Sequence, residues 1–209
     1  LQIALARAEA DVAQSLALDH RTHRARAADE GEQAVVGGVV RMGERDLQSR
    51  TAGLTWQPSY AVNNGFLNAR SRLSPAVRAA ALDAYVANPP DGAAPIAIAD
   101  SLARLARGEL LSETSTRILL DTMGASVTGR ARLRAALPPG WTIQHKTGTG
   151  QDLGARNAGF NDVGLLTAPD GRRYALAVMV GDTVRPIRER QQLIQSVAAA
   201  VASYAGTRN

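Results

Sequence analysis

Cysteine is absent from this chain of 209 residues, which excludes disulfide bonds, thiolate nucleophiles and cysteine-ligated metal sites. Aromatic residues make up 4% of the chain, and its arginines are spread along its length. The formal net charge of +5 therefore indicates a scattered basic surface, and we expect no nucleic acid as a partner. No run of about 18 apolar residues is present, so no membrane span is predicted. With 45% hydrophobic residues, the chain can build a globular core.

Histidine and lysine are scarce. His20 and His23 stand among arginines with no third ligand nearby, so we predict neither a metal site nor a cofactor. Of the 24 basic residues a single one is a lysine, Lys146, within the run HKTGTG at 145–150. The compact ammonium of lysine and the planar guanidinium of arginine suit different sites. We infer that Lys146 occupies a position that needs a point charge.

The first forty residues have the weakest pattern. Leu1, Leu5 and Ala8 lie on one stripe, which predicts a helix over residues 1–13. In residues 14–38 the apolar residues recur with neither a period of 2 nor one of 3.6, which indicates a loop or a weak helix. A polar, arginine-rich block between two patterned regions is what a change of reading frame produces. We hypothesise such a change between residues 8 and 40, which resequencing of the gene would test.

Three helices are predicted from the residues at their ends, where serine caps and prolines begin a helix and glycine or asparagine ends it. They follow a Ser74-Pro75 cap, Pro95 and a Ser112 cap, and they end at Asn88, Gly108 and Gly124. Short helices with short links are typical of a compact helical lobe. We place this lobe in residues 1–140, with an active-site loop near 41–58.

After residue 140 the period changes from 3.6 to 2, which predicts strands. One strand carries Trp141, Ile143, His145 and Thr147 on one face, and two more cover 161–167 and 174–180. A turn signal at 169–171 makes the last two an antiparallel hairpin. A C-terminal amphipathic helix carries the apolar residues Ile194, Val197, Val201 and Tyr204. The predicted fold is α/β, of the α+β sandwich type: an antiparallel sheet with a covering helix in residues 141–209, forming one structural unit with the helical lobe.

A strand that ends in Lys-Thr-Gly has a specific chemical use. The ammonium of Lys146 and the hydroxyl of Thr147 can hold a substrate carboxylate and relay protons. Glycines without a Cβ, Gly148 and Gly150, let backbone N–H groups approach a reacting carbonyl. Three residues recur by chance, however, and the alternative is a strand end with a solvated lysine and a glycine turn.

The neighbouring segments favour the chemical interpretation. Lys-Thr-Gly is a motif of class A β-lactamases and penicillin-binding proteins, and from residue 94 onward the chain resembles this family of serine hydrolases. The similar segments occur in order over more than half the chain: APIA at 94–97, GELL at 108–111, LRAALPPGW at 133–141, HKTGTG at 145–150 and NDV at 161–163. The resemblance implies a β-lactamase-like fold that hydrolyses the β-lactam amide through an acyl-enzyme, without a metal.

The resemblance also implies roles for individual residues. Lys146 and Thr147 bind the substrate carboxylate, and the Thr149 N–H donates to the oxyanion. Glu44-x-x-Leu-Gln48 is similar to the family's Glu-x-x-Leu-Asn, in which the glutamate activates the deacylating water and the amide orients it. The alternative for Glu44 is an exposed side chain in an arginine-rich loop. The predicted catalytic residues are thus Glu44, Lys146 and Thr149, and the predicted substrate-binding residues are Gln48, Thr147, Gly148 and Gly150.

The family's nucleophile is missing. It is a serine followed three residues later by a lysine, but Lys146 is the only lysine and Ile143 stands three residues before it. Ser101-x-x-Arg104 has the spacing, yet arginine does not release its proton near neutral pH. We therefore expect this chain to be inactive. The resemblance also places two strands and a helix before Leu1, and without them we expect an open edge at the Trp141 strand and marginal stability or aggregation.

Three functions remain in competition. The leading interpretation is a β-lactamase acting on a small-molecule β-lactam. A D-Ala-D-Ala peptidase or another penicillin-binding relative is the second, and Glu44 favours the first over it, because a peptidase that stays acylated needs no such base. The third is a non-catalytic member of the fold that binds cell-wall peptide or a protein, which the missing nucleophile favours if Leu1 is the true start of the protein. From the resemblance we expect a monomer with a periplasmic or secreted location.

Overall fold

The computed structural model describes residues 2–7 and 43–207. Its main feature is a four-stranded antiparallel sheet. The strands of this sheet are β1 (Gln2–Arg7), β2 (Thr142–Thr149), β5 (Phe160–Thr167) and β6 (Arg173–Val180), and the short strands β3 (Asp152–Leu153) and β4 (Arg156–Asn157) lie between β2 and β5 in the sequence. Across the sheet the strand order is β1–β6–β5–β2. The helices are α1 (Glu44–Ala52), α2 (Gly65–Ser71), α3 (Pro75–Ala87), α4 (Pro95–Ala106), α5 (Glu113–Gly124) and α6 (Ile187–Gly206), with 3₁₀ turns at Pro58–Ala61 and Leu133–Ala136.

The hairpin of β5 and β6 is confirmed. Its turn is closed by backbone hydrogen bonds from Gly171 N to Ala168 O at 3.0 Å and from Ala168 N to Arg172 O at 2.9 Å. Gly171 has a φ of +88°, which only glycine adopts at little cost. The Asp170 carboxylate accepts from the Arg172 backbone and side chain. Local turn chemistry therefore sets the register of the hairpin, with Thr167 opposite Arg173.

The predicted helix over residues 1–13 is wrong where it can be compared with the structure. Residues 2–7 form strand β1, which pairs antiparallel with β6 from Gln2 opposite Met179 to Arg7 opposite Tyr174. Ile3 and Leu5 alternate with alanines, so this short stretch also has the period of a strand. Pairing with the edge of β6 provides hydrogen-bond partners for the backbone N–H and C=O groups of β1. This pairing favours the strand over the helix. Residues 8–42, with His20, His23 and the proposed frame change, lie outside the described residues.

Helices cover both faces of the sheet because the side chains of β6 alternate between two cores. Ala175 and Ala177 face α4 and α5, where they join Ala99, Ala103 and Met123. Leu176 and Val178 face the opposite side, against Ile194, Ala198 and Val201 of α6. The predicted α/β class and the covering C-terminal helix are thus confirmed. The sheet has one strand more than was predicted, and β2 is at the edge opposite β1.

The predicted serine caps are confirmed. The Ser74 hydroxyl accepts from Val77 N at 3.3 Å at the start of α3. The Ser112 hydroxyl accepts from Ser115 N at 3.2 Å at the start of α5. Helix α4 begins at the predicted Pro95. These ends depend on neighbouring residues alone, which is why the sequence identifies them.

The described chain divides into two compact units. The first contains β1 and residues 93–150 and 155–207, and the second contains residues 43–92 and 151–154. The contacts therefore group α4 and α5 with the sheet. The predicted division at residue 140, into a helical lobe and a sheet that form one structural unit, stays a prediction. In the second unit, the segment near 41–58 includes the helix α1, and its role as an active-site loop stays a prediction. Gly53, with a φ of +88°, ends this helix by donating to Arg50 O at 2.9 Å.

Candidate active site

The Lys-Thr-Gly run is the last part of the edge strand β2. Thr147 lies opposite Asp162, and Gly148 lies opposite Asn161 on β5. Lys146 is exposed, and its Nζ donates to Thr147 O at 2.5 Å. The first unit therefore brings together the predicted Lys146, Thr147, Gly148, Thr149 and Gly150. The ammonium is accessible to an anionic ligand, and the strand holds its backbone in place.

A row of hydroxyl groups leads to this strand. Thr147 Oγ1 lies 2.9 Å from Thr128 Oγ1, which lies 3.3 Å from Ser126 Oγ. Hydroxyl groups both donate and accept, so the direction of the hydrogen bonds in this row can reverse. Neither Ser126 nor Thr128 was predicted as a site residue, and no motif at 126–128 indicates their role.

Arg132 is a second positive charge at the end of the strand. Its Nη1 donates to Gly148 O at 2.8 Å and to Asn161 O at 2.5 Å, and its Nη2 donates to Thr149 Oγ1 at 2.5 Å. The side chain is buried, and this burial lowers the pKa of the guanidinium. The charge of Asp162 opposes this lowering of the pKa, and the charge of Arg190 adds to it. Sequence reasoning missed Arg132 because nothing distinguishes it from the other arginines.

Gly148 and Gly150 have different reasons to be glycine. A Cβ at Gly148 would lie 3.6 Å from Asn161 Cβ, an ordinary contact, so packing leaves room for a side chain there. A Cβ at Gly150 would lie 2.7 Å from Gly159 N, because Gly150 N donates to Gly159 O at 2.6 Å. Gly150 is thus required for the close approach of two chain segments. Its predicted contact with substrate stays a prediction.

Glu44 and Gln48 belong to the second unit. Glu44 is exposed in the first turn of α1, and Gln48 is exposed one turn later. Residues four apart lie on the same helix face, so this spacing can present a carboxylate and an amide side by side. Gln151 Nε2 donates to the backbone oxygen of Gln48 at 2.8 Å and to its Oε1 at 3.3 Å. The predicted roles of Glu44 and Gln48 with water stay predictions.

Comparison with known proteins shows the family of the chain. Residues 41–205 match the model of the beta-lactamase enzyme family. The chain belongs to this family. It is 37% identical to the extended-spectrum β-lactamase PER-1 of Pseudomonas aeruginosa over 100 residues, which cover 48% of this chain and 32% of that protein. It is 38% identical to a β-lactamase of Mycobacterium tuberculosis over 89 residues, which cover 43% and 27%.

Solved structures show the same likeness. The TLA-1 extended-spectrum β-lactamase superposes with a TM-score of 0.52 at 33% identity, over 54% of this chain and 41% of that one. A β-lactamase from Chitinophaga pinensis gives a TM-score of 0.52 at 33% identity, over 54% and 42%. The chain spans about a third of the length of the curated relatives that it matches. None of the helices in 43–207 combines the length and the apolar character that crossing a bilayer requires.

Proposed function

We propose that this chain carries the carboxylate-binding part of a serine β-lactamase, which hydrolyses the β-lactam amide through an acyl-enzyme. The observation that carries the proposal is the strand end, where the Lys146 ammonium, the Thr147 hydroxyl and the Arg132 guanidinium surround one stretch of backbone. An exposed cation and a hydroxyl group at the strand end, with a second, buried cation bonded to the same strand, suit an anionic ligand. Membership of the β-lactamase family supports the carboxylate of a β-lactam as this ligand.

The proposed roles follow from the chemistry of each group. Lys146 and Thr147 bind the carboxylate, and Arg132, which is hydrogen-bonded to the strand, adds positive electrostatic potential. Gly148 leaves space for the ligand to approach, and the Thr149 N–H donates to the oxyanion that develops on the lactam carbonyl. Glu44 activates the deacylating water, and Gln48 orients it. The acylation step requires a serine with a neighbouring amine, which this sequence does not contain.

Equilibrium binding tests the carboxylate site without any turnover. We expect benzylpenicillin to bind this chain more tightly than its methyl ester, which lacks the negative charge. Lys146→Met should weaken binding of the acid roughly tenfold, since it removes a charge-assisted hydrogen bond, and should leave binding of the ester unchanged. Arg117→Met removes one exposed positive charge on α5 and serves as the control. Equal affinity for acid and ester in the unmodified chain would refute the proposed site.

Turnover is a separate measurement. We expect this chain to leave nitrocefin intact, because the groups that form the acyl-enzyme are missing. Measurable hydrolysis would show that another residue supplies the nucleophile.

A second candidate is a non-catalytic member of the fold that binds cell-wall peptide, because residues 1–209 contain no serine followed three residues later by a lysine. Binding of an acyl-D-Ala-D-Ala peptide in preference to benzylpenicillin would support it, and would equally support a peptidase relative. From the family we also propose a periplasmic or secreted location and a monomeric state. Sedimentation of the purified chain tests the monomer.

A further inference from the structure

We propose that the buried pair His145 and Asp162 is a positioning pair that fixes the segment 128–133 against strand β2. This segment supplies Thr128 and Arg132 to the strand end, so the pair determines where the Thr147 hydroxyl and the Arg132 guanidinium lie. The identity of the ligand rests on the proposed function. The positioning itself is a property of the chain without ligand.

The pair connects two neighbouring strands inside the core. His145 Nδ1 lies 2.8 Å from Asp162 Oδ1, and neither side chain is exposed to solvent. Asp162 pairs with Thr147, so the aspartate lies diagonally across from the histidine on the same face of the sheet. The histidine immediately precedes Lys146. Its orientation is therefore linked directly to the part of β2 that carries the ammonium.

The same pair holds the segment 128–133 at two points. At one end, the second carboxylate oxygen of Asp162 accepts from Leu133 N at 3.2 Å. At the other end, a Cβ at Gly129 would lie 3.1 Å from His145 Cε1 and would clash with Thr147 Cγ2. A side chain at position 129 would thus meet Thr147 first and the imidazole second, so the backbone of Gly129 packs closely against both. The carboxylate fixes one end of the segment by a hydrogen bond, and the imidazole fixes the other by packing.

Two side chains of the segment, Thr128 and Arg132, reach the end of strand β2, and each is the sequence neighbour of one of these two fixed points. Thr128, next to Gly129, meets the Thr147 hydroxyl. Arg132, next to Leu133, donates to Gly148 O and Thr149 Oγ1, and the negative charge of Asp162 acts on its guanidinium. A displacement of the segment would move both groups together. The pair therefore acts on the site through the backbone and does not touch the ligand.

Stability alone does not explain a fully buried polar pair, because apolar side chains of similar volume commonly give equal or greater stability. Two residues earlier on the same strand, Ile143 fills a comparable buried position with an apolar side chain. Among the described residues, His145 Nε2 has no hydrogen-bond partner, so the bond from Nδ1 to Asp162 is the one hydrogen bond of the ring there. The directional bond between His145 and Asp162 is kept although it leaves His145 Nε2 buried without a partner. This indicates that the bond serves to position the neighbouring segment.

The test compares His145→Asn, whose side-chain amide can still donate to Asp162, with His145→Leu, which cannot. Leu165→Ala, in the core on the other face of the sheet, is the control for general loss of packing. Without ligand, we expect His145→Leu to shift the backbone amide resonances of residues 128–133 and to speed hydrogen exchange at Leu133. His145→Asn should restore both, and Leu165→Ala should change neither. Unshifted resonances in His145→Leu would overturn the proposal.

Binding of benzylpenicillin provides the second measurement. We expect His145→Leu to weaken it roughly tenfold, the effect of leaving one buried group unpaired, and His145→Asn to bind nearly as tightly as the unmodified chain. Equal affinity in all variants would overturn the link to the site. If the unmodified chain does not bind benzylpenicillin, the proposed function fails, whereas the amide resonances still decide whether the pair positions the segment. If His145→Leu does not fold, Asp162→Asn replaces it, and unchanged exchange at Leu133 then counts against the proposal.

Discussion

The guanidinium carbon of Arg132 lies 3.6 Å from the centre of the Phe160 ring, close enough for a cation–π interaction inside the core. The same guanidinium donates to backbone carbonyls on two strands, Gly148 O on β2 and Asn161 O on β5. A side chain that supplies a charge to the strand end thus also connects the two strands on which that end is built. Arg132 thus stabilises the strand end to which the proposed function assigns ligand binding.

Replacement of Arg132 should therefore affect stability as well as binding. We expect Arg132→Met to lower the free energy of unfolding by about 2 kcal/mol, because two partly buried carbonyls lose their donor. Arg130→Met, two residues earlier and exposed, removes the same charge from the surface and should change this free energy little. Denaturant unfolding of the two variants measures the difference. Equal stability of both would mean that water replaces the guanidinium without loss.

The close contact between β2 and β5 gives a second prediction. A Cβ at Gly164 would clash with Gln144 O and lie 2.7 Å from His145 Cβ on the facing strand. We expect Gly164→Ala to destabilise the chain by roughly 1–3 kcal/mol, the range for overpacking a core. Gly181→Ala is the matched control, because a Cβ there has open space. Thermal melting of both variants distinguishes them, and a similar melting temperature would contradict the register of these strands.

Local signals account for the parts of the fold that the sequence predicted. The Ser74 and Ser112 caps and the turn at Gly171 each depend on residues within a few positions, so their chemistry can be seen in the sequence. Strand β1 was missed because Ile3 and Leu5 fit a helix and a strand equally over so short a stretch. Pairing with β6, at the far end of the chain, decides the outcome.

The residues of the candidate site also divide into those that the sequence predicted and those that it did not. Lys146 and Thr147 were identified because they form a motif with neighbours of known chemistry. Arg132 was missed because two of its acceptors are backbone carbonyls, which are the same at every position of a sequence. The pairing of His145 with Asp162 was missed for a related reason, since the register of β2 and β5 brings them together.

The last prediction concerns the second unit at high pH. Tyr85 donates to Asp91 Oδ1 at 3.0 Å. Burial, with the charge and hydrogen bond of Asp91, raises the pKa of Tyr85 to about 12. In the unfolded chain a tyrosine has a pKa of about 10. Between these values the unfolded chain loses a proton that the folded chain keeps, so the contribution of Tyr85 is complete below pH of about 10 and is lost as the pH rises towards about 12.

We therefore expect Tyr85→Phe to reduce the loss of stability over this pH interval, because phenylalanine has no proton to lose. Asp91→Asn should lower the pKa of Tyr85, since it removes the negative charge beside the phenol. Tyrosinate absorbance of the folded chain measures the pKa, and urea unfolding across the interval measures the stability. An unchanged slope of stability against pH in Tyr85→Phe would mean that deprotonation of another group causes the alkaline loss.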